Sequence, residues 1–80
     1  MMSLIGDTKL NILLRLREEP THGYELAQEL NISSGYVYQH LDELQEEGMI
    51  AVEESESEGR QRTFYRLTEN GEMLLEALGE

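Results

Sequence analysis

The stretch "NISSGYVYQHLDELQEEG", Asn31 to Gly48, decides how the chain folds. Ser33 or Ser34 is placed to cap a helix, because a serine hydroxyl accepts from amides that the first turn leaves unpaired. Val37, Leu41 and Leu44 then recur at spacings of four and three, so one apolar stripe runs down a helix over about residues 33–47. Gly48 ends it, since glycine takes the left-handed backbone of a helix terminus without steric cost. The other positions are polar, and Asp42, Glu43, Glu46 and Glu47 are acidic, with no Lys or Arg among them.

Toward the N-terminus, Asn31 and Ile32 form a tight connection to a second helix, "HGYELAQEL", with Tyr24, Ala27 and Leu30 on one side and Thr21 as its cap. Pro20 stops a first helix, in which Leu10, Leu13, Leu14 and Leu16 or Arg17 recur as far as Glu19, with Asp7 at its start. Beyond Gly48 the period changes. "MIAVE" and "RTFYRL" are short and rich in β-branched and aromatic residues, and a polar loop containing Gly59 joins them, which signals a hairpin. On its second strand Thr63, Tyr65 and Leu67 share one face, and Arg62, Phe64 and Arg66 the other. Thr68 caps a last helix reaching about Leu78, with Met73, Leu74 and Leu78 apolar. The order predicts an α+β winged helix-turn-helix: a three-helix bundle, a two-stranded β-hairpin wing at 53–62 and a C-terminal helix. Residues 1–80 make a single domain, with 1–6 as a flexible arm.

Eighty residues lie close to the lower size at which one apolar core holds without covalent staples. Cysteine is absent, which excludes disulfides and thiol chemistry. No apolar run approaches the roughly 18–20 residues that span a bilayer, and "MMSLIGDTK" lacks the basic start and apolar stretch of a signal peptide. A soluble cytoplasmic domain is expected. Charge is the loudest feature: seventeen acidic residues face six basic ones, a net charge of −11. High charge with low hydrophobicity marks many disordered chains, but the apolar periodicity here predicts a fold.

Three segments in register carry a family resemblance: "HGYEL" at 22–26, "SSGYVYQHLDELQEEGMI" at 33–50 and "FYRLTENGEMLLEAL" at 64–78. Together they resemble the winged-helix regulators related to the phenolic-acid decarboxylase repressor, called PadR-like, over about residues 10–78. In that family a His-Gly-Tyr element opens the second helix. The third follows Ser-x-Gly-x-apolar-Tyr, then Leu-x-x-Leu, glutamates, glycine and an apolar pair. Ser33, Gly35, Val37, Tyr38, Leu41, Leu44, Gly48, Met49 and Ile50 take those places in order, and Tyr65 to Thr68 match the closing Tyr-Arg-Leu-Thr of the wing. The resemblance implies a sequence-specific transcriptional regulator. Family members often carry Arg or Lys where this chain has Asp42 and Glu43, and many continue into a longer C-terminal helix that pairs two subunits.

In helix-turn-helix docking the first turns of the third helix meet base edges in the major groove. The residues there are Ser33, Ser34, Gly35, Tyr36, Tyr38, Gln39 and His40. Glutamine pairs bidentately with adenine, and serine donates or accepts. Backbone amides at Ser34 and Gly35 form a helix N-terminus, which favours phosphate. Tyr38 either reaches a phosphate or packs against the wing or the second helix. Gln39 and Tyr36 either contact bases or decorate the surface. Half of the basic residues, Arg60, Arg62 and Arg66, fall within seven positions of the wing. Arg60 and Arg62 are the expected contacts to the minor groove or the backbone; the competing reading pairs them with neighbouring glutamates. His22 and His40 lack metal-ligand spacing, no phosphate-cradling glycine loop appears, and the carboxylates read as a solvated face. No enzyme activity, metal or cofactor is expected.

A DNA reader is normally basic, because release of counterions from phosphates drives binding. At −11 the chain should be repelled by a duplex at ordinary ionic strength. The screening length falls to about 3 Å at 1 M salt, where long-range repulsion fades and close hydrogen bonds survive. Abundant Glu with a single Lys therefore suggests adaptation to concentrated salt. That reading expects the glutamates to point away from the surface presented by Ser34, Gln39 and the wing arginines, with ambient ions muting the charge that remains. The alternative is an acidic winged-helix module that grips a basic protein and does not bind DNA. Palindromic half-sites call for two copies, and Leu4, Ile5, Leu74, Leu75 and Leu78 offer apolar surface for a homodimer or, equally, complete the core.

Overall fold

The computed structural model describes residues 6–57 and 60–80, and at 55–57 and 60–62 the backbone alone. Its central helix, α3 (Ser34–Glu46), follows the pattern of its sequence. Ser33 holds extended backbone and its hydroxyl accepts from the Tyr36 amide at 3.2 Å. Val37, Leu41 and Leu44 are buried along one stripe. Gly48 takes φ +78°, which lets its own amide reach the Gln45 carbonyl and the Met49 amide reach that of Leu44, each at 3.0 Å.

Two helices brace α3. The first, α1 (Asp7–Glu18), starts after Gly6, so Asp7 is its first helical residue and makes no cap. Its acid there still suits the positive end of the helix dipole. Ile12, Leu13 and Leu16 are buried, with Leu10 and Leu14 partly so. The second, α2 (Gly23–Leu30), is capped by His22, not by Thr21: His22 Nδ1 accepts from the Glu25 amide at 3.2 Å. On α2 the core takes Leu26 and Ala27, whereas Tyr24 is 59% exposed. The helix closes on Asn31 at φ +57°, an αL residue whose geometry asparagine tolerates. Arg15 joins the two helices through Nε, 2.8 and 3.0 Å from the carboxylate oxygens of Glu29.

Thr21 belongs instead to β1 (Thr21–His22), a strand that two residues cannot announce in sequence. It pairs antiparallel with β3 (Arg60–Leu67), Thr21 opposite Tyr65 and His22 opposite Phe64. On its other side β3 pairs with β2 (Ile50–Ser57), from Ile50 opposite Leu67 to Ser57 opposite Arg60. The expected two-stranded wing is thus a three-stranded sheet in the order β1-β3-β2. Tyr65, Ile50 and Thr21 face inward and are buried.

The last helix, α4 (Glu69–Ala77), begins at Thr68, which accepts from the Gly71 amide at 3.1 Å and donates to the Gly48 carbonyl at 2.6 Å. One hydroxyl therefore caps α4 and ties it to the end of α3. On α4 Gly71 and Leu75 are buried, Leu75 completely; Leu74 is partly buried and Met73 is 60% exposed. Of the apolar residues expected on this helix, Leu74 and Leu78 are partly buried and Met73 stands exposed. Among the described residues, no helix is long and apolar enough to cross a membrane.

Candidate nucleic-acid interface

The first turns of α3 stand open to solvent. Ser33, Ser34, Gly35, Tyr36, Tyr38 and Gln39 are all exposed, while Val37 and Leu41 between them anchor the helix below. The amides of Ser34 and Gly35 occupy the positions where an α-helix offers donors with no acceptor of its own. A shallow hollow beside them is lined by Tyr24, Gln28, Asn31, Ile32, Ser33 and Ser34. Tyr24 accepts from Gln28 Nε2 at 3.0 Å, which holds its phenol at this rim.

Tyr38 joins α3 to α2. Its ring lies over the Cα of Gly23: a Cβ there would fall 2.6 Å from Tyr38 Cε1 and Cζ. Any side chain at this position would displace the Tyr38 ring. The ring closes one wall of an open cleft of about 360 Å³, with His22, Tyr24, Thr63 and Tyr65 as the other walls. Burial, with smaller contributions from Tyr38 and Asp42, pushes the Tyr65 hydroxyl above the usual phenol range. The group stays protonated and remains a donor. Of the two readings of Tyr38, the packing against α2 is what is observed, and the ring is also 41% exposed at the mouth of the cleft. His22, Tyr24, Thr63 and Tyr65 were not singled out from sequence as site residues. The His-Gly-Tyr signal was present, but the β1–β3 pairing that brings Thr63 and Tyr65 beside it was not.

His40 is placed differently from its neighbours. Both ring nitrogens are shielded from solvent and, among the described residues, without a hydrogen-bond partner. The ring stands edge-on to Tyr36, centroids 4.5 Å apart, and Nδ1 lies 3.5 Å from Glu43 Oε1. It supports the exposed face of α3 from beneath and presents no nitrogen to a base.

Nor are the acids of α3 turned away from this face. Asp42, Glu43 and Glu46 follow Gln39 by three, four and seven positions, which places them on the same side of the helix, farther from its N-terminus. Lys9 of α1 lies 3.1 Å from Glu43 and 3.9 Å from Glu47, which offsets part of that charge. The open face of α3 is thus divided along its length, neutral in its first turns and acidic in its last. The basic residues of α1 are engaged on their own side, Arg15 with Glu29 and Arg17 with the Glu80 carbonyl. The other three basic residues, Arg60, Arg62 and Arg66, all lie on β3. The side chains of Arg60 and Arg62 lie outside the described residues; their backbones pair with Ser57 and Ser55.

The family model of the PadR-like transcriptional regulators matches residues 12–77. Transcriptional regulator Rv3488 of Mycobacterium tuberculosis is 33% identical over 72 residues, which are 84% of this chain and 67% of that protein. A PadR family transcription regulator of Clostridium difficile superposes with a TM-score of 0.83 at 26% identity, covering 90% of this chain and 82% of that one. A mutant of Lactococcus lactis ZitR, solved in complex with DNA, superposes with a TM-score of 0.78 at 27% identity, covering 89% of this chain and 48% of that one. With its capped third helix, its three-stranded winged sheet and a family match over most of its length, the chain belongs to the PadR-like family of transcriptional regulators.

Proposed function

We propose that this protein binds double-stranded DNA in a sequence-specific way, with the first turns of α3 in the major groove and the β2–β3 wing on the minor groove or backbone. The observation that carries the reading is the open, uncharged start of α3 flanked by the Tyr38 cleft, with half of the chain's basic residues on the adjoining strand. Ser33, Ser34, Gly35, Tyr36, Tyr38 and Gln39 supply base and phosphate contacts, and Arg60 and Arg62 extend them along the wing. The similarity to ZitR, whose mutant was solved with DNA, supports the same use of the fold.

The acidic half of α3 restricts how this is done. Only its N-terminal turns enter the groove; the carboxylates stay near its edge, where ambient ions screen them. The protein works in a cytoplasm of high ionic strength, as a homodimer reading two half-sites about one duplex turn apart. Exposed Met73 and partly buried Leu74 on α4 provide apolar surface for that pairing. Leu4 and Ile5, also expected there, lie outside the described residues. Gel-shift with the DNA upstream of its own gene, from 0.1 M to molar KCl, tests the reading. A discrete shifted band that persists at high salt supports it. Co-purification of a basic protein with no shift at any salt overturns it in favour of the interaction module. Sedimentation in molar salt decides between a dimer and a single chain of 9.2 kDa.

A further inference from the structure

His40 lies in the middle of the proposed DNA-reading helix, yet its ring nitrogens are shielded from solvent and make no hydrogen bond among the described residues. A sheltered polar nitrogen without a partner is costly and uncommon. Glu43 Oε1 lies 3.5 Å from His40 Nδ1, beyond the usual length of a hydrogen bond, and the same oxygen is 3.1 Å from Lys9 Nζ. The ring also carries Tyr36, which packs edge-on against it and is 46% exposed on the face that would meet bases. The charged groups around this spot are Lys9 from α1 and Glu43 and Glu47 from α3.

We propose that His40 is a positioning residue of the recognition face, and that its protonation draws Glu43 inward, fixes Tyr36 and tightens DNA binding. This rests on the reading of α3 as the DNA-contacting helix. A neutral imidazole has one donor and one acceptor; the protonated ring has two donors. Once charged, it gains Glu43 as a close partner, and the carboxylate contributes one negative charge less to the face. A contact between partly sheltered groups is screened little by bulk salt, so the effect survives under the saline conditions in which the protein binds.

The test measures affinity for a labelled duplex from the DNA upstream of the protein's own gene, in molar KCl, between pH 8 and pH 5.5. The wild type is expected to tighten by about threefold as pH falls, through the close His40–Glu43 contact that fixes Tyr36 and not through long-range charge, which molar salt screens. His40→Gln and Glu43→Gln are expected to give flat profiles. Glu43 is partly exposed, so Glu43→Gln keeps the test informative if His40→Gln folds poorly. A flat wild-type profile, or an unchanged slope in both variants, overturns the proposal. A second readout needs no DNA: the Tyr36 ring protons should shift with pH in the free wild type and cease to do so in His40→Gln. If no duplex binds at any pH, the DNA reading and the coupling fall together, while the Tyr36 resonances still decide whether the His40 contact exists.

Discussion

Gly23 and Tyr38 form the contact on which the aromatic cleft depends. Gly23→Ala favours the helix by propensity but places a methyl group within the Tyr38 ring, whose exposed end gives way. Stability should change by less than about 1 kcal/mol, while DNA affinity falls several-fold, as paired thermal melts and binding titrations would show. Ser33→Ala removes the cap of α3 and should cost roughly 1 kcal/mol in urea unfolding. Thr21 makes a third single-residue case. Its hydroxyl donates to Glu25 Oε2 at 2.6 Å and holds that carboxyl below the usual carboxylate range; partial burial opposes this, and His22 and Arg15 assist. A depressed folded value means the contribution is present at neutral pH and lost as pH falls through that value. The stability gap between wild type and Thr21→Val should therefore be widest near pH 7 and close in acid, measured by urea unfolding at several pH values. At this scale the Ser33 cap was legible in the sequence, because it is local. The caps at Thr21 and Asp7 were misplaced, because the neighbouring strand and Gly6 take their parts.

The separation between core and surface becomes sharp at the scale of elements. On α4, Leu75→Ala should cost about 2–5 kcal/mol, a buried leucine emptied from a full core, whereas Met73→Ala should cost almost nothing. Equal effects in chemical unfolding would refute the packing described for this helix. On β3, Arg60→Ala and Arg62→Ala should each weaken binding across all sequences alike. An altered base preference instead would place those side chains on base edges. Helices longer than two turns were readable from their apolar period. The strand β1 was not, since two residues carry no period and its pairing partner lies more than forty positions away.

Charge is the question that belongs to the molecule as a whole. The acidic residues are not gathered on a far side; they extend onto the end of α3 itself, and Lys9 is the one cation the described residues place beside them. Affinity for DNA should therefore hold steady or rise from 0.1 M to molar KCl, opposite in sign to the fall that counterion release gives an ordinary repressor. A steep loss in titrations over that range would remove the saline reading. Replacing Asp42 and Glu46 by Asn and Gln should move the optimum to lower salt, because both carboxylates lie on the face of Gln39.

By itself the sequence determined the helix order, the hairpin, the stripe of Val37, Leu41 and Leu44 and the family, since each rests on local spacing or on short motifs in register. Only the tertiary structure decided that Tyr38 closes a cleft over Gly23 and that His40 turns its nitrogens away from solvent. The reason is one of range. A period along the chain tells which residues are apolar, but the direction a helix faces and the strand laid beside it depend on contacts from segments far away in sequence.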